Sequence, residues 1–560
     1  MPSVSSSKSS PRPGDLETAP LTWRAAGVAL VVFVLLTVLH TWPLATAPAT
    51  LSRNDNGDTL LNEWTIAWVQ HQVVRDPRNL FDANIFYPEK NTLAFSEHMF
   101  TQAILGLPLR VAGASPVLVF NLLLLAGFAL TGWATCLVVY RVTGDWLAGV
   151  LSGTLLAFNA YALTHLPHLQ SVHLEFLAPA LLAFDRAVRR PGVRVALLLA
   201  AMVILQALTS NYFMVALALA LVAAAAVRSG DLWANRQRAF GALLLAAAIV
   251  GVALVPFILP YIEMRQAHGL KRALDPQFSA TWRDYLTTGS RLHFEWWSRQ
   301  FWGVRAPLFP GFTAAILALV AVCTGAAWRH PFARMWTAVG ILLCLASLGV
   351  HAPWYRWVYE HLTVFQGIRS PSRLGQFSVA AIAVLAGFGL AWVRARWRGR
   401  RWLPVFAIAV ILAANVEALR APLGYVNAVE IPPVYDVLAE PRRAVVIEFP
   451  FFAPLSFHRN SEYLLASTRH WRPLLNGYSG LVPASYVQTW QRVAGFPDNA
   501  SLRALRDIGV THVVVHYEAA TPMIEPFPRI AALPAALEPI AETGAISIYH
   551  LRWERIPDWP

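Results

Sequence analysis

Apolar runs alternate with short polar connections from residue 24 to residue 419, and beyond that point the pattern breaks into shorter strand-like segments. A bilayer-spanning helix needs about 20 mainly apolar residues. Eleven stretches approach that length. They are Arg24–Leu44, Pro116–Tyr140, Leu147–Thr164, Leu174–Ala187, Val195–Ser210, Tyr212–Val227, Ala239–Tyr261, Pro307–Trp328, Met335–Val350, Phe377–Val393 and Leu403–Leu419. Met99–Gly113 is a further apolar piece. It is read as re-entrant, because a full crossing there would reverse the sidedness of all that follows. The first run suits a retained signal-anchor better than a cleaved signal core, although Ala45–Ala47 imitates a cleavage site.

Arginine placement orients these spans. Arg186, Arg189, Arg190 and Arg194 share one short connection, and Arg228, Arg236 and Arg238 share another. Arg329 and Arg334 mark a third, and Arg394, Arg396, Arg398, Arg400 and Arg401 a fourth. With the N-terminus in the cytoplasm all four fall on the inner side, as the positive-inside rule predicts. The outer side then receives Asn54–Phe100, the turn at His165–Glu175, Glu263–Arg305, His351–Arg373 and everything after Arg420. The expected organisation is a disordered cytoplasmic stretch 1–23, a transmembrane region 24–419 with its first outer loop at 45–100, and an outer domain 420–560.

That last segment reads as a small α/β domain. Ala444–Phe449, Gly509–His516 and Ile546–Leu551 are β-branched, strand-like runs, and Leu502–Arg506 is a short helix between them. The expected fold class is a polytopic α-helical membrane protein of about eleven spans carrying this small domain on its outer face.

Composition narrows the function. With 56% hydrophobic and 14% charged residues, the chain departs from an ordinary soluble enzyme, in which about a quarter of residues are charged. Its partner is the lipid bilayer. The net charge of +13 does not point to nucleic acid, because the arginines cluster between apolar runs, where a topology signal belongs. Cys136, Cys323 and Cys344 lie in apolar runs without CxxC spacing, which reads as inert thiols.

The chemistry-bearing residues gather in the outer connections. Asn54–Phe100 is a long polar insert between apolar runs, the kind of loop that carries function. In Asn56-Gly57-Asp58-Thr59, Gly57 permits a tight turn and Asp58 stands at the membrane surface, with Asp55 and Glu63 near enough to share a site. A carboxylate there can take a proton from an acceptor hydroxyl or hold a divalent cation (Mg or Mn) against phosphate. It can equally be the N-cap of the helix that LLNEW begins. His71, Asp82, Asn84, Glu97 and His98 add polar groups along the same loop. The aromatics Trp64, Trp68, Phe86 and Tyr87 suit either an interfacial belt or stacking on a sugar.

A second cluster is His165, His168, His173 and Glu175, around Pro167, which interrupts a helix. Contacts to phosphate or sugar, a structural role at the interface and metal ligation are all open for it; HExxH is absent. Asn211 and Tyr212 occupy a tight outer turn. Arg369 and Arg373 sit on the side that the positive-inside rule leaves poor in cations, where a guanidinium fork for a phosphate, or lipid headgroups, would account for them. Leu475–Gly480 reads as a turn, which near the membrane can also contact a carbohydrate.

Together these motifs resemble bacterial membrane glycosyltransferases of the GT-C type. The likeness is to a polytopic branch whose first outer loop carries GDTLLN, DP, LFDANIFYP and SEH, here Gly57–Asn62, Asp76-Pro77, Leu80–Pro88 and Ser96–His98. It extends to His165–Gln170, Arg369–Arg373 and Asn476–Gly480. The resemblance implies transfer of a sugar from a polyprenyl-phosphate carrier to a glycan, lipid or protein acceptor at the outer face of a bacterial inner membrane. The 420–560 domain would then be periplasmic. It also implies Asp58 as the acidic residue that serves as base or metal-site residue. The chain departs from the family's adjacent acidic pair, having Asp55-Asn56-Gly57-Asp58 instead, and has no WWDYG motif; metal dependence therefore stays open. The alternatives are a transporter or flippase of lipid-linked glycans and a noncatalytic envelope assembly factor. Transporters place ionisable groups near the bilayer midplane. Here the polar groups gather at one face, which favours surface chemistry.

Overall fold

A computed structural model describes residues 21–53, 57–269, 272–303, 306–440, 443–518, 526–530 and 532–557. The stretch before Leu21, expected to be disordered, lies outside the described residues, as does Asp55.

Five helical segments are long and apolar enough to cross a membrane: Trp23–His40, Pro116–Thr143, Trp146–Thr164, Arg236–His268 and Pro371–Arg396. Five shorter apolar helices accompany them, Val193–Ala207, Asn211–Val227, Phe312–Cys323, Pro331–Ser347 and Leu403–Ala418. The Leu177–Arg189 helix is buried among them. Pro116–Thr143 and Trp146–Ala157 approach so closely that a Cβ on Gly149 or Gly153 would lie 2.6 or 2.3 Å from the carbonyl oxygens of Cys136 and Gly132. Small residues one turn apart give this contact, the packing device of membrane helices. Phe100–Val111 is only 12 residues, about 18 Å, short of a hydrocarbon core. It buries Thr101 and Gln102 and exposes Ile104, Leu105, Leu109 and Val111, the reverse of a soluble helix.

The stretch expected as one span over Leu147–Thr164 is broken. Its first helix ends at Ala157, and Asn159 starts a second, Ala160–Thr164, by accepting the Ala162 N–H at 3.0 Å. An asparagine cap thus interrupts it well before Pro167.

Several helices run between two kinds of chain end. Gly375–Arg396 starts beside Arg373 and finishes at Arg394, which pairs with Asp145 just beyond the Pro116–Thr143 helix. Leu177–Arg189 starts after Glu175 and carries Asp185 one turn before its far end, where it pairs with Arg228 just past Asn211–Val227. The arginine-rich connections therefore lie at one end of the bundle, and the carboxylate- and histidine-bearing ones at the other.

At that second end sits the sheet. Two short strands, β1 (Leu51–Ser52) and β2 (Val426–Asn427), pair antiparallel and join the first loop to the chain beyond residue 420. Then come β3 (Val446–Phe449), β4 (His512–His516), β5 (Leu537–Glu542) and β6 (Ile546–Leu551), in spatial order β3-β4-β6-β5. The β3–β4 pair is parallel and the other two are antiparallel. Before β4, the Asn499–Ile508 helix is capped by Asp498 and closed by Gly509 at φ 93°, a left-handed stop that glycine takes without a Cβ clash. The sequence pattern missed β5 because Pro539 interrupts it; the strand accommodates it at an edge with a register shift.

The first outer loop is not separate from this domain. Leu474 donates to the Asn84 carbonyl at 2.8 Å, and Tyr87 to the Leu474 carbonyl at 3.0 Å, while Leu475 donates to Val446 of β3 at 2.9 Å. Loop and tail share one apolar core that includes Trp68, Phe86, Phe95, Val446, Tyr463 and Leu474.

Candidate active site

The Gly57–Arg75 helix begins at Gly57, which puts Asp58 in its first turn rather than at the N-cap, where the helix dipole favours its charge. Gly57 is needed less for a turn than for room: a Cβ there would lie 2.8 Å from the His458 carbonyl oxygen and 3.1 Å from Ser461 Oγ. The helix start is thus pressed against the tail. Tyr478 donates its hydroxyl to Asp58 Oδ1 at 2.5 Å, and His168 Nε2 stands 3.5 Å from Oδ2. The Asp58 side chain keeps 35% of its accessible surface, so an incoming group can reach it.

His168 comes from the turn after Ala160–Thr164. Burial first, then the neighbouring Arg373 and His165, hold its imidazole well below 6.5. At neutral pH it therefore meets Asp58 uncharged. His165 stacks on Tyr161 with ring centres 4.1 Å apart and lies edge-on to His168 at 5.8 Å.

A second carboxylate, Glu97, is fully engaged. Ser210 Oγ donates to it, Gln170 Nε2 does so at 2.6 Å, and Arg373 Nη1 lies 3.7 Å away. The Arg373 guanidinium covers the Tyr212 ring at 4.7 Å, and the Tyr212 hydroxyl oxygen accepts the Arg369 and Ser370 N–H groups at 3.1 and 3.3 Å. Arg369 lies over the Phe278 ring at 4.7 Å. Arg272 donates to the Gly480 carbonyl at 2.6 Å, beside Tyr478. Burial, and then the nearby Arg369 charge, lower the Arg272 guanidinium from its ordinary value, while Tyr212 opposes this. An anion among these guanidiniums would relieve that repulsion. Asn211 stands next to Tyr261, whose hydroxyl donates to the Ser96 carbonyl at 2.8 Å.

The structure therefore gathers Asp58, Glu97, His165, His168, Tyr212, Arg369 and Arg373, with Asn211 at the margin. The other sequence candidates lie elsewhere. Glu63 is completely buried, accepting from Ser52 Oγ at 2.9 Å, and burial raises its carboxyl to about 8 despite that hydrogen bond. It is a neutral core group, not a site carboxylate. His71, about two turns beyond Glu63 on the same helix, stacks on Trp471 at 4.3 Å. Asp82 holds a turn through the Asn91 N–H at 2.9 Å and Lys90 at 3.3 Å. Asn84 is buried against Ser467 and Arg472 in the loop–tail joint. His98 is buried between Phe81 and Phe257 and caps the next helix by accepting the Phe100 N–H at 3.1 Å. His173 and Glu175 form a buried pair, 2.9 Å apart, that pins the turn to Leu123 and Thr131. None of these groups stands at Asp58: His173 and Glu175 pair with each other, and the rest are held by the loop, the helix or the tail.

Tyr478 and Arg272 are the members that sequence reasoning missed. Tyr478 was visible only as part of a motif segment read as a turn or a carbohydrate contact, not as a partner of Asp58. Arg272 carries the same signal as Arg369 and Arg373, an arginine on the cation-poor side. Among the described residues no three His, Cys, Asp or Glu side chains converge as a metal site. The groups nearest Asp58 are the His168 imidazole and the Tyr478 phenol, with guanidiniums close by.

No protein-family model and no curated protein matches the sequence. The backbone does have solved counterparts. Arabinofuranosyltransferase AftD from Mycobacteria superposes with a TM-score of 0.56 at 16% identity over 96% of this chain, and a mutant form of that enzyme with 0.57 over 95%. The fold is GT-C-like. The chain spans about two fifths of AftD, 40% of its length. ArnT from Cupriavidus metallidurans bound to undecaprenyl phosphate aligns at 14% identity and a TM-score of 0.48, over 94% of this chain and 97% of that one. The archaeal oligosaccharyltransferase AglB from Archaeoglobus fulgidus, in complex with an inhibitory peptide and a dolichol-phosphate, aligns at 14% and 0.47, over 89% and 70%.

Proposed function

We propose that this chain is a membrane glycosyltransferase that moves a hexosyl or pentosyl group from a polyprenyl-phosphate carrier to a glycan, lipid or protein acceptor at the outer face of a bacterial inner membrane. One observation carries the reading: an accessible carboxylate, Asp58, lies near Arg373 and is held by Tyr478, around which Arg369 and Arg272 gather, at one end of a bundle of apolar helices. The likeness to an arabinofuranosyltransferase supports it at the level of fold.

The two halves of the site match the two charges of the reaction. The acceptor hydroxyl oxygen forms the new bond to the anomeric carbon while its proton passes to the Asp58 carboxylate. The bond from the anomeric carbon to the carrier phosphate breaks, and its electron pair stays on the phosphate oxygen. The guanidiniums hold that growing negative charge, with the lipid chain lying between the helices. Tyr478 fixes the carboxylate. Neutral His168 positions it without forming an ion pair that would compete for the proton.

The test is sugar transfer from labelled polyprenyl-phosphate sugars in membranes containing wild type or Asp58→Asn at equal expression. Transfer by the wild type with a loss of roughly 100-fold or more in the variant supports the assignment. Equal transfer by both removes Asp58 from the mechanism, and no transfer by either favours the transporter or assembly reading.

A further inference from the structure

We propose that a second cleft, on the far side of the Ser96–Met99 wall, binds one zwitterionic phospholipid whose headgroup carries a primary ammonium. The cleft has a volume of about 610 Å³ and lies between the loop at 77–91 and the distal part of the Arg236–His268 helix. It is separate from the Asp58 site. His98, whose neighbour Glu97 faces that site, packs its ring against Phe81 and Phe257, which line the cleft.

Three features select the ligand. Its charged lining residues are Arg78, Lys90, Asp82 and Glu263, two cations and two carboxylates. That set repels neither end of a zwitterion, whereas a purely anionic or cationic ligand would leave two of the four charges opposed. Arg78 and Lys90 offer N–H donors to a phosphate, and Glu263, which already accepts from Asn91 at 2.9 Å, offers an oxygen to an ammonium. Next, Pro260 has no N–H, so the carbonyl of Pro256, one turn earlier and itself a lining residue, lacks its helical donor. This leaves a second acceptor for an ammonium proton, one that a quaternary choline could not use. Finally, the floor is apolar, with Phe81, Phe100 and Phe257. The flanking surfaces are exposed and apolar too: Val255, Ile258 and Leu259 on the long helix, and Ile104 and Leu105 on the helix that begins at Phe100. Acyl chains can leave the cleft along these surfaces; a soluble ligand would have no use for them.

Native mass spectrometry of the purified full chain, with added dioleoyl phosphatidylethanolamine, phosphatidylcholine, phosphatidylglycerol or polyprenyl phosphate, tests the proposal. The expected result is one phosphatidylethanolamine retained in preference to the other three. Arg78→Ala and Glu263→Gln should each lower that retention roughly tenfold, the loss of one charge-assisted hydrogen bond, at unchanged melting temperature. Arg78 is exposed, so its variant folds, and the reading does not depend on the assignment of Asp58. Equal or better retention of phosphatidylglycerol or phosphatidylcholine, displacement by polyprenyl phosphate, or unchanged retention in both variants would overturn it.

Discussion

Tyr478 donates a hydrogen bond from its hydroxyl to the carboxylate of Asp58 across 420 residues of chain, at 2.5 Å. This bond joins the two halves of the outer structure at the point where chemistry is proposed. The Gly57–Arg75 helix brings the acid, and the segment after β3 brings the group that orients it. Tyr478→Phe should keep the packing and lose the donor. The expected result is a fall in kcat of roughly tenfold or more, with KM for the donor and the melting temperature unchanged. A parallel loss of melting temperature would instead mark the tyrosine as structural.

Gly477 precedes that tyrosine, and a Cβ on it would lie 2.5 Å from the Phe86 ring. Gly477→Ala must push apart the joint between the first loop and the tail. A destabilisation of about 1–3 kcal/mol is expected, as for other overpacked cores, together with lost transfer as Tyr478 leaves Asp58. Thermal melting and the transfer assay on the same preparation check both parts.

Glu63 has a folded-state value near 8 against 4.5 for the free group, so the folded protein keeps a proton that the unfolded chain has released. Stability due to this group is fully present below pH 4.5 and is lost as pH rises toward 8, by about 1.4 kcal/mol per pH unit. Glu63→Gln keeps an acceptor for Ser52 and removes the titration. Its stability relative to wild type should therefore grow from pH 5 to pH 8 in unfolding measured across that range.

The buried His98 works in the opposite direction. Burial lowers it to about 4 from 6.5, so the folded state stays neutral where the unfolded state gains a proton. Stability is lost as pH falls from 6.5 toward 4, again by about 1.4 kcal/mol per unit. His98→Asn, which keeps an acceptor for the Phe100 N–H, should flatten the acid side of the stability profile by one proton; an unchanged slope would contradict the assigned burial effect.

Phe86 and Tyr87 show where sequence reading reaches its limit. Both were legible as aromatics of an interfacial loop. Their backbones in fact pair with Leu474 and Asn476, and the Phe86 ring packs against Gly477, contacts between segments nearly 400 residues apart that no local pattern encodes. The same holds for His173 and Glu175. Their spacing looked like chemistry, but burial turned them into a satisfied pair.

What the sequence determined by itself was the alternation of apolar helices, the clustering of arginine at one end, the glycine at 57 beside the acid at 58, and three of the four strands of the main sheet. Each of these is a property of a short window: helix length against membrane thickness, β-branching, charge in a single connection. The tertiary structure alone decided which polar groups share a space. Glu63 and Asp58 are five residues apart on one helix, yet one faces the core and the other keeps a third of its side chain accessible. Tyr478, Arg272 and Arg373 reach the same place from three distant segments, because burial and electrostatic pairing depend on neighbours that only the packed chain supplies.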